Sequence, residues 1–175
     1  MADRCMFRLG ILMGCFVWAS ALAQGTPVGK MMPSSASLGK DAFSQAIAAG
    51  DIARIGKILD SGSSVNRSVE CHFAEGYTVT LTPLAEALFR YVGGFPEEEE
   101  KGVEVVQYLI DRGAAVNAAI PETGQTPLHL AAGALEGCIA FRLFATLREA
   151  GADVSARDNK GQTPLDVLRE TLEDW

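Results

Sequence analysis

The stretch Thr126-Pro127-Leu128-His129-Leu130-Ala131-Ala132 decides the fold, because its first three residues recur at Thr82-Pro83-Leu84 and at Thr163-Pro164-Leu165. A second phrase follows the first two copies, as Gly113-Ala114-Ala115-Val116-Asn117 and Gly151-Ala152-Asp153-Val154. Two phrases that recur in a fixed order indicate a repeat architecture. Stacked repeats expose one long shared surface, so the pattern favours binding over catalysis.

Each Thr-Pro-Leu copy predicts the start of a helix. Thr is a good helix cap, and Pro fits the first helical position because its missing N–H would be unpaired there. In the middle copy, a helix over about Pro127 to Gly133 precedes a second helix over Ile139 to Ala150. Gly151 then predicts the end of that second helix in a left-handed conformation.

The middle copy resembles the opening of the ankyrin-repeat family, Thr-Pro-Leu-His-x-Ala, over Thr126 to Ala131. The family's spacing places a degenerate first opening at Asp41, ahead of Gly62. The resemblance implies an all-α fold, an ankyrin-repeat solenoid of helix-turn-helix repeats with β-hairpin loops, with three repeats plus a C-terminal capping helix. The expected ankyrin domain covers residues 41–175, with repeats at about 41–77, 78–121, 122–158 and 159–175.

The openings lie farther apart than the period of about 33 residues that is usual for ankyrin repeats. The extra residues fall between the two helices of the second and third repeats, and in a hairpin around Val69 to Tyr77. Insertions of this kind often lie on the binding side of repeat proteins. Long surface loops are also tolerated at little cost in stability, so both interpretations stay open.

The first 23 residues predict a secretory signal peptide. Arg4 and Arg8 precede an uncharged stretch, and Ala21-Leu22-Ala23 has the small-x-small pattern of a cleavage site. Lipid attachment at Cys15 is a competing interpretation, disfavoured because apolar residues continue beyond it. We therefore expect an exported bacterial protein cleaved after Ala23, located in the periplasm or alternatively secreted, with residues 24–40 as a flexible linker.

The formal net charge is −7 for the full sequence, and it becomes −8 when the predicted signal peptide takes away Asp3, Arg4 and Arg8. Nucleic acids and anionic membranes attract basic patches, so this balance argues against both as partners once the signal is removed. A protein partner, possibly basic, is favoured, and the alternative is that the negative charge serves solubility alone. The acidic run Glu97 to Glu100 either steers such a partner or complements the dipole of a helix beginning near Pro96.

No catalytic or metal-binding pattern stands out in the sequence, so we expect no enzyme activity and no cofactor. The resemblance implies a structural role for His129, bonding across to the adjoining turn. His72 follows Cys71, which could suggest a pair of metal ligands. A zinc site needs three or four ligands at ordered spacing, and no further ligands are visible near these two in the sequence. We also expect that Cys71 and Cys138 are not bonded to each other, because their expected positions lie at different ends of the stack.

The resemblance further implies that the hairpin tips and the inner faces of the first helices form the binding surface. Aromatic residues and Arg dominate binding hot spots, which draws attention to an aromatic cluster in repeat two, formed by Tyr77, Phe89, Arg90 and Tyr91. Packing of the inserted loop is the alternative role for that cluster. The predicted partner-binding residues are Tyr77, Thr78, Val79, Leu81, Phe89, Arg90, Glu122, Gln125, Asn159, Lys160 and Gln162.

Two binding functions follow from these features. The first is an exported adaptor or support factor for another cell-envelope protein, such as an oxidative-stress enzyme. The second is a periplasmic immunity protein that binds and inhibits a toxic effector enzyme. The sequence does not decide between them.

Overall fold

The computed structural model describes residues 41–72, 78–92, 99–133 and 138–173. The predicted signal peptide and linker, residues 1–40, lie outside these ranges and stay predictions. Within the described ranges the chain forms helices and one two-stranded antiparallel sheet. In chain order these are α1 (Ala42–Ala49), α2 (Ile52–Asp60), β1 (Val69–His72), β2 (Thr78–Leu81), α3 (Pro83–Tyr91), α4 (Glu99–Asp111), α5 (Pro127–Gly133), α6 (Cys138–Glu149) and α7 (Pro164–Glu173).

The helices pack in pairs and in rows. The pairs are α1 with α2, α3 with α4, and α5 with α6. The first helices of the pairs contact one another in the order α1, α3, α5 and α7, while α4 contacts α6 in the second row. Among the described residues, no second helix follows α7. No helix of the described residues is long and apolar enough to cross a membrane.

The first helices begin at the openings that the sequence predicts. The Asp41 carboxylate accepts a hydrogen bond from the Ser44 N–H at 2.8 Å, and Thr82 Oγ1 accepts one from the Ala85 N–H at 3.3 Å. Asp41 therefore caps α1 as Thr82 caps α3, although the surrounding motif is degenerate. Gly151 has φ of 88°, which confirms the predicted left-handed end of α6.

The apolar position of each opening is buried wherever a helix pair is complete. Phe43, Leu84 and Leu128 are 2%, 1% and 0% exposed, but the equivalent Leu165 in α7 is 49% exposed. Leu84 and Leu128 lie in helices that pack against a second helix of their own pair, whereas the described part of the chain contains no such helix for α7, which carries Leu165. The same tripeptide therefore serves the core in two places and the surface in the third.

Two asparagine side chains join successive turns at the ends of the second helices. Asn66 Nδ2 donates to the Gly113 carbonyl at 3.1 Å, and Asn66 Oδ1 accepts from the Ala115 N–H at 2.7 Å. Asn117 repeats both bonds one turn later, to the Gly151 carbonyl at 3.2 Å and from the Asp153 N–H at 2.8 Å. We call these pairs of bonds the asparagine bridges.

The hairpin predicted around Val69 to Tyr77 contains a small sheet. Val69 pairs with Leu81 and His72 with Thr78, while residues 73–77 lie outside the described ranges. Cys71 lies in β1 and is buried in the core. Since nothing is described of the Cys138 side chain, the absence of a Cys71–Cys138 bond stays a prediction.

Leu128→Asp tests the placement of the core. It buries a charge without a partner at a fully buried position, and we expect it to remove on the order of 4 kcal/mol or more from the free energy of unfolding. The matched control is Leu165→Asp in the same tripeptide context. Far-UV circular dichroism and thermal melting of dilute protein should show loss of the fold for the first variant and native helix content for the second. Equal melting of Leu128→Asp and the parent would mean that the buried face is misplaced.

Candidate functional site

Strand β2 and the two turns before α5 and α7 are joined along one edge of the stack. The Thr80 N–H of β2 donates to Glu122 Oε1 at 3.0 Å. The Glu122 carbonyl accepts from Asn159 Nδ2 at 3.2 Å, and the Asn159 N–H donates to the Thr123 carbonyl at 3.0 Å. We call this connected edge the tip row. Its bonds fix each turn relative to the next.

Five of the predicted binding residues lie in the tip row. Thr78, Glu122, Asn159 and Lys160 are exposed, and Gln162 is half-buried. The Asp158 carboxylate accepts from the N–H groups of Lys160 and Gln162, both at 2.9 Å, which holds the last turn in shape. Glu122 and Asn159 therefore take part in the bonds of the tip row, Lys160 and Gln162 belong to its last turn, and Thr78 lies two residues before Thr80 on β2.

His129 supports this edge from inside the stack. The ring is 1% exposed. His129 Nδ1 accepts a hydrogen bond from the Thr126 N–H at 3.2 Å. Because an accepting ring nitrogen carries no proton, the ring proton lies on Nε2, and Nε2 donates to the Gln162 carbonyl at 3.0 Å. The predicted bond from His129 to the adjoining turn is confirmed. In the described residues, no group of three or more His, Cys, Asp or Glu side chains could hold a metal ion.

Asp166 stands where His129 stands in the preceding opening. The Thr163 N–H and hydroxyl donate to its carboxylate at 3.0 and 2.7 Å. These bonds lower the pKa of Asp166, the backbone bond contributing most. The ionised carboxylate thus holds the start of α7 in place of the ring.

Three predicted binding side chains lie in the interior, and the prediction is corrected for them. Val79 and Leu81 are 6% and 0% exposed, because alternate residues of β2 point to opposite faces and these two point to the core. Gln125 is 3% exposed, and its carbonyl accepts from the Ile120 N–H at 2.8 Å. None of the three presents its side chain to a partner.

The predicted binding role of Arg90 is also corrected, because Arg90 forms a buried ion pair with Glu86. Its Nε and Nη2 donate to Glu86 Oε1 at 3.2 and 2.9 Å, and Ser44 Oγ donates to Glu86 Oε2 at 2.8 Å. The side chains of Arg90 and Glu86 are 9% and 1% exposed. The three residues link α3 to α1. The i, i+4 spacing of Glu86 and Arg90 was the sequence signal for this pair.

The aromatic residues of the predicted cluster differ in how far they are buried in the structure. Tyr91 is buried, and its hydroxyl donates to the Ile47 carbonyl of α1. Phe89 is partly buried and packs against the core, while Tyr77 lies outside the described residues. Of the acidic run, Glu97 and Glu98 also lie outside, α4 begins at Glu99, and Glu100 is exposed.

Comparison with known proteins agrees with this architecture. Residues 123–159 match the family model described as ankyrin repeat. The chain is 39% identical over 90 residues to the neurogenic locus Notch protein of Drosophila melanogaster, covering 49% of this chain and 3% of that protein. It is 41% identical over 73 residues to a BTB/POZ domain and ankyrin repeat-containing protein of Medicago truncatula, covering 41% of this chain and 14% of that protein.

The crystal structure of the ankyrin repeat domain of Bcl-3, a member of the IkappaB protein family, superposes with a TM-score of 0.55. The match has 24% sequence identity and covers 77% of this chain and 52% of that chain. The predicted ankyrin-repeat solenoid fold is therefore confirmed. Ankyrin repeats are protein-interaction modules, and the chain spans only a small part of the curated relatives it matches.

Arg90→Ala tests the corrected role of Arg90. It leaves Glu86 buried without its cation, so we expect a loss of about 3–5 kcal/mol in the free energy of unfolding by urea. Arg148→Ala, which removes an exposed guanidinium from α6, should change it by less than about 0.5 kcal/mol. If the two variants unfold at the same urea concentration as the parent, Arg90 is a surface residue and remains available for binding.

Proposed function

We propose that this chain is a protein-binding module whose contact surface is the tip row. The observation that carries the proposal is the chain of bonds from Thr80 through Glu122 to Asn159. Because these bonds fix the turns before a partner arrives, little freedom is lost when the surface binds, and pre-organisation of this kind strengthens binding.

The surface carries both signs of charge. Glu122 and Lys160 are exposed on neighbouring turns. A partner with a complementary pair of charges would be oriented on the row, and such pairs fix register and raise the association rate more than they raise affinity. Removal of residues 1–23 takes away Asp3, Arg4 and Arg8, so the net charge changes from −7 to −8, which favours a partner that is basic overall.

We place the module outside the cytoplasm, as an adaptor or support factor for another cell-envelope protein such as an oxidative-stress enzyme. This part of the proposal rests on the sequence of the first 23 residues, with cleavage after Ala23 and a periplasmic location. An immunity protein would use the same surface. Inhibition of a captured enzyme would identify the immunity role, and retained or enhanced activity the support role.

Affinity capture from an envelope extract tests the surface. We expect Lys160→Glu to reduce recovery of the partner at least several-fold, because it reverses a charge in the tip row without removing the backbone bond of residue 160. Lys57→Glu is the matched control, since Lys57 is exposed on α2 away from the row. Recovery is quantified by mass spectrometry.

Equal recovery with Lys160→Glu and with the parent, combined with loss in Lys57→Glu, would move the binding surface to the second helices. Melting temperatures of both variants should match the parent, because both side chains are exposed.

N-terminal sequencing tests export. Protein recovered from the envelope fraction should begin at Gln24, since cleavage after Ala23 follows the small-x-small pattern. A lipidated N-terminus at Cys15 would contradict the proposed cleavage, and an intact Met1 would contradict export.

A further inference from the structure

Strand β1 forms the outer edge of the two-stranded sheet. In an antiparallel pair, residues alternate between those that bond the partner strand and those whose N–H and C=O groups point away from it. The Thr80 N–H donates to Glu122 outside the sheet, so the backbone of Thr80 points away from β1. Glu70 is the residue paired with Thr80, and its backbone therefore points away from β2.

The outward backbone groups of β1 form what we call the β1 edge. It consists of the N–H and C=O groups of Glu70 and of His72, which lies two residues further along the strand and so points the same way. Glu70 is exposed, and its backbone makes no hydrogen bond to a turn or loop of the described residues. Backbone groups in this arrangement can pair with one further extended segment.

The β1 edge lies at one end of the tip row. Strand β1 pairs with β2, and β2 is bonded through Thr80 to Glu122 and thus to the turns before α5 and α7. A segment paired with β1 would accordingly extend the row by one strand. Contacts made at the β1 edge would be continuous with contacts made along the tip row.

The strand that carries this edge is fixed in place. Val69 and Cys71 are 8% and 0% exposed, so their side chains hold one face of β1 against the core. Arg67, just before the strand, forms an ion pair with Asp41 and lies 5.1 Å from the centre of the Phe43 ring. A rigid edge loses little freedom when a segment binds, which favours recognition.

The exposed charge on β1 is negative and uncompensated. Among the described residues Glu70 has no ion-pair partner, since the nearby Arg67 is paired with Asp41. Residues directly opposite each other in a sheet have their side chains on the same face, and an opposite charge there is stabilising. A segment paired with β1 would therefore carry Lys or Arg opposite Glu70. Its alternate residues would lie on the inner face, which favours apolar side chains.

We propose that the β1 edge binds an extended, basic segment of the protein partner by strand addition. In this recurrent mode of recognition, main-chain hydrogen bonds supply affinity and alternate side chains supply specificity. The segment carries Lys or Arg on the side of Glu70 and apolar residues at the alternate positions. The proposal rests on the proposed function as a protein-binding module and adds the kind of segment that the partner presents.

Amide NMR of the full 175-residue chain tests strand addition. The probe is a hexapeptide of alternating Lys and Val, blocked at both ends and added at millimolar concentration. We expect saturable shifts of the Glu70 amide and slower hydrogen exchange of that amide when the peptide is bound. The control peptide carries backbone N-methyl groups on its Lys residues, which keeps the charge but removes the N–H groups that face β1. It should show no saturable binding.

Two substitutions of Glu70 separate charge from backbone pairing. Glu70→Ala removes the charge and should weaken binding of the first peptide about threefold. Glu70→Pro also removes the outward N–H and should weaken it about tenfold. Proline suits this position because the Glu70 N–H takes no part in the bonds between β1 and β2. Glu104→Ala, at an exposed position of α4, is the matched control and should bind the peptide as the parent does.

Other occupants of the edge would be recognised in the same experiment. Equal binding of the two peptides, or no saturable binding of the first, would overturn strand addition, and the peptide comparison stands even when Glu70→Pro fails to fold. A Glu70 amide that is protected without peptide would also overturn it. Such protection would assign the edge to another segment of this chain, or to a second copy when it appears only at high protein concentration.

The tip row is tested separately by partner capture with Lys160→Glu. Lost recovery of the partner in that variant, together with no peptide binding at Glu70, would retain the binding module and discard the β1 edge. Peptide binding at Glu70, together with unchanged recovery in Lys160→Glu, would retain the β1 edge and discard the contact at Lys160.

Discussion

The asparagine bridges set the geometry on which the rest of the structure depends. Asn66 and Asn117 each donate to one carbonyl and accept from one N–H of the following turn. Two bonds from one planar amide fix both the spacing and the rotation of neighbouring repeats. Ser155 occupies the position equivalent to Asn66 and Asn117 in the next repeat. Its N–H and its hydroxyl both donate to Asp153 of the same turn. In the described residues, no asparagine bridge therefore extends from this position to another turn.

Fixed stacking explains both surfaces. On one edge it aligns the turns closely enough for Glu122 to reach Thr80 on one side and Asn159 on the other. At the end of the stack it leaves the apolar side chains of α7 in positions that earlier helices keep buried. The first surface is polar and ordered, whereas the side chains exposed on α7 include the apolar Leu165 and Leu172.

Local signals predicted the helix starts, whereas burial of particular side chains depended on contacts between distant residues. Asp41 could be identified because a cap acts within its own turn, and His129 because its motif is specific. Arg90 was predicted to face a partner because the sequence does not show that Glu86 meets Ser44 across the helix interface. The predictions for Val79, Leu81 and Gln125 were wrong for a related reason, since their expected exposure came from family position. The sequence does not show which face of β2 packs on the core, nor that Gln125 is buried in the turn where its carbonyl accepts from the Ile120 N–H.

The most direct measurement is the free energy of unfolding of Asn117→Ala against that of Ser155→Ala. Both substitutions remove a polar side chain at the same place in the repeat, but only Asn117 reaches another turn. We predict that Asn117→Ala loses about 1–3 kcal/mol in urea unfolding, the net contribution of two hydrogen bonds, while Ser155→Ala loses less. Equal losses for the two variants, or none for Asn117→Ala, would contradict a stack whose register is set by the asparagine bridges.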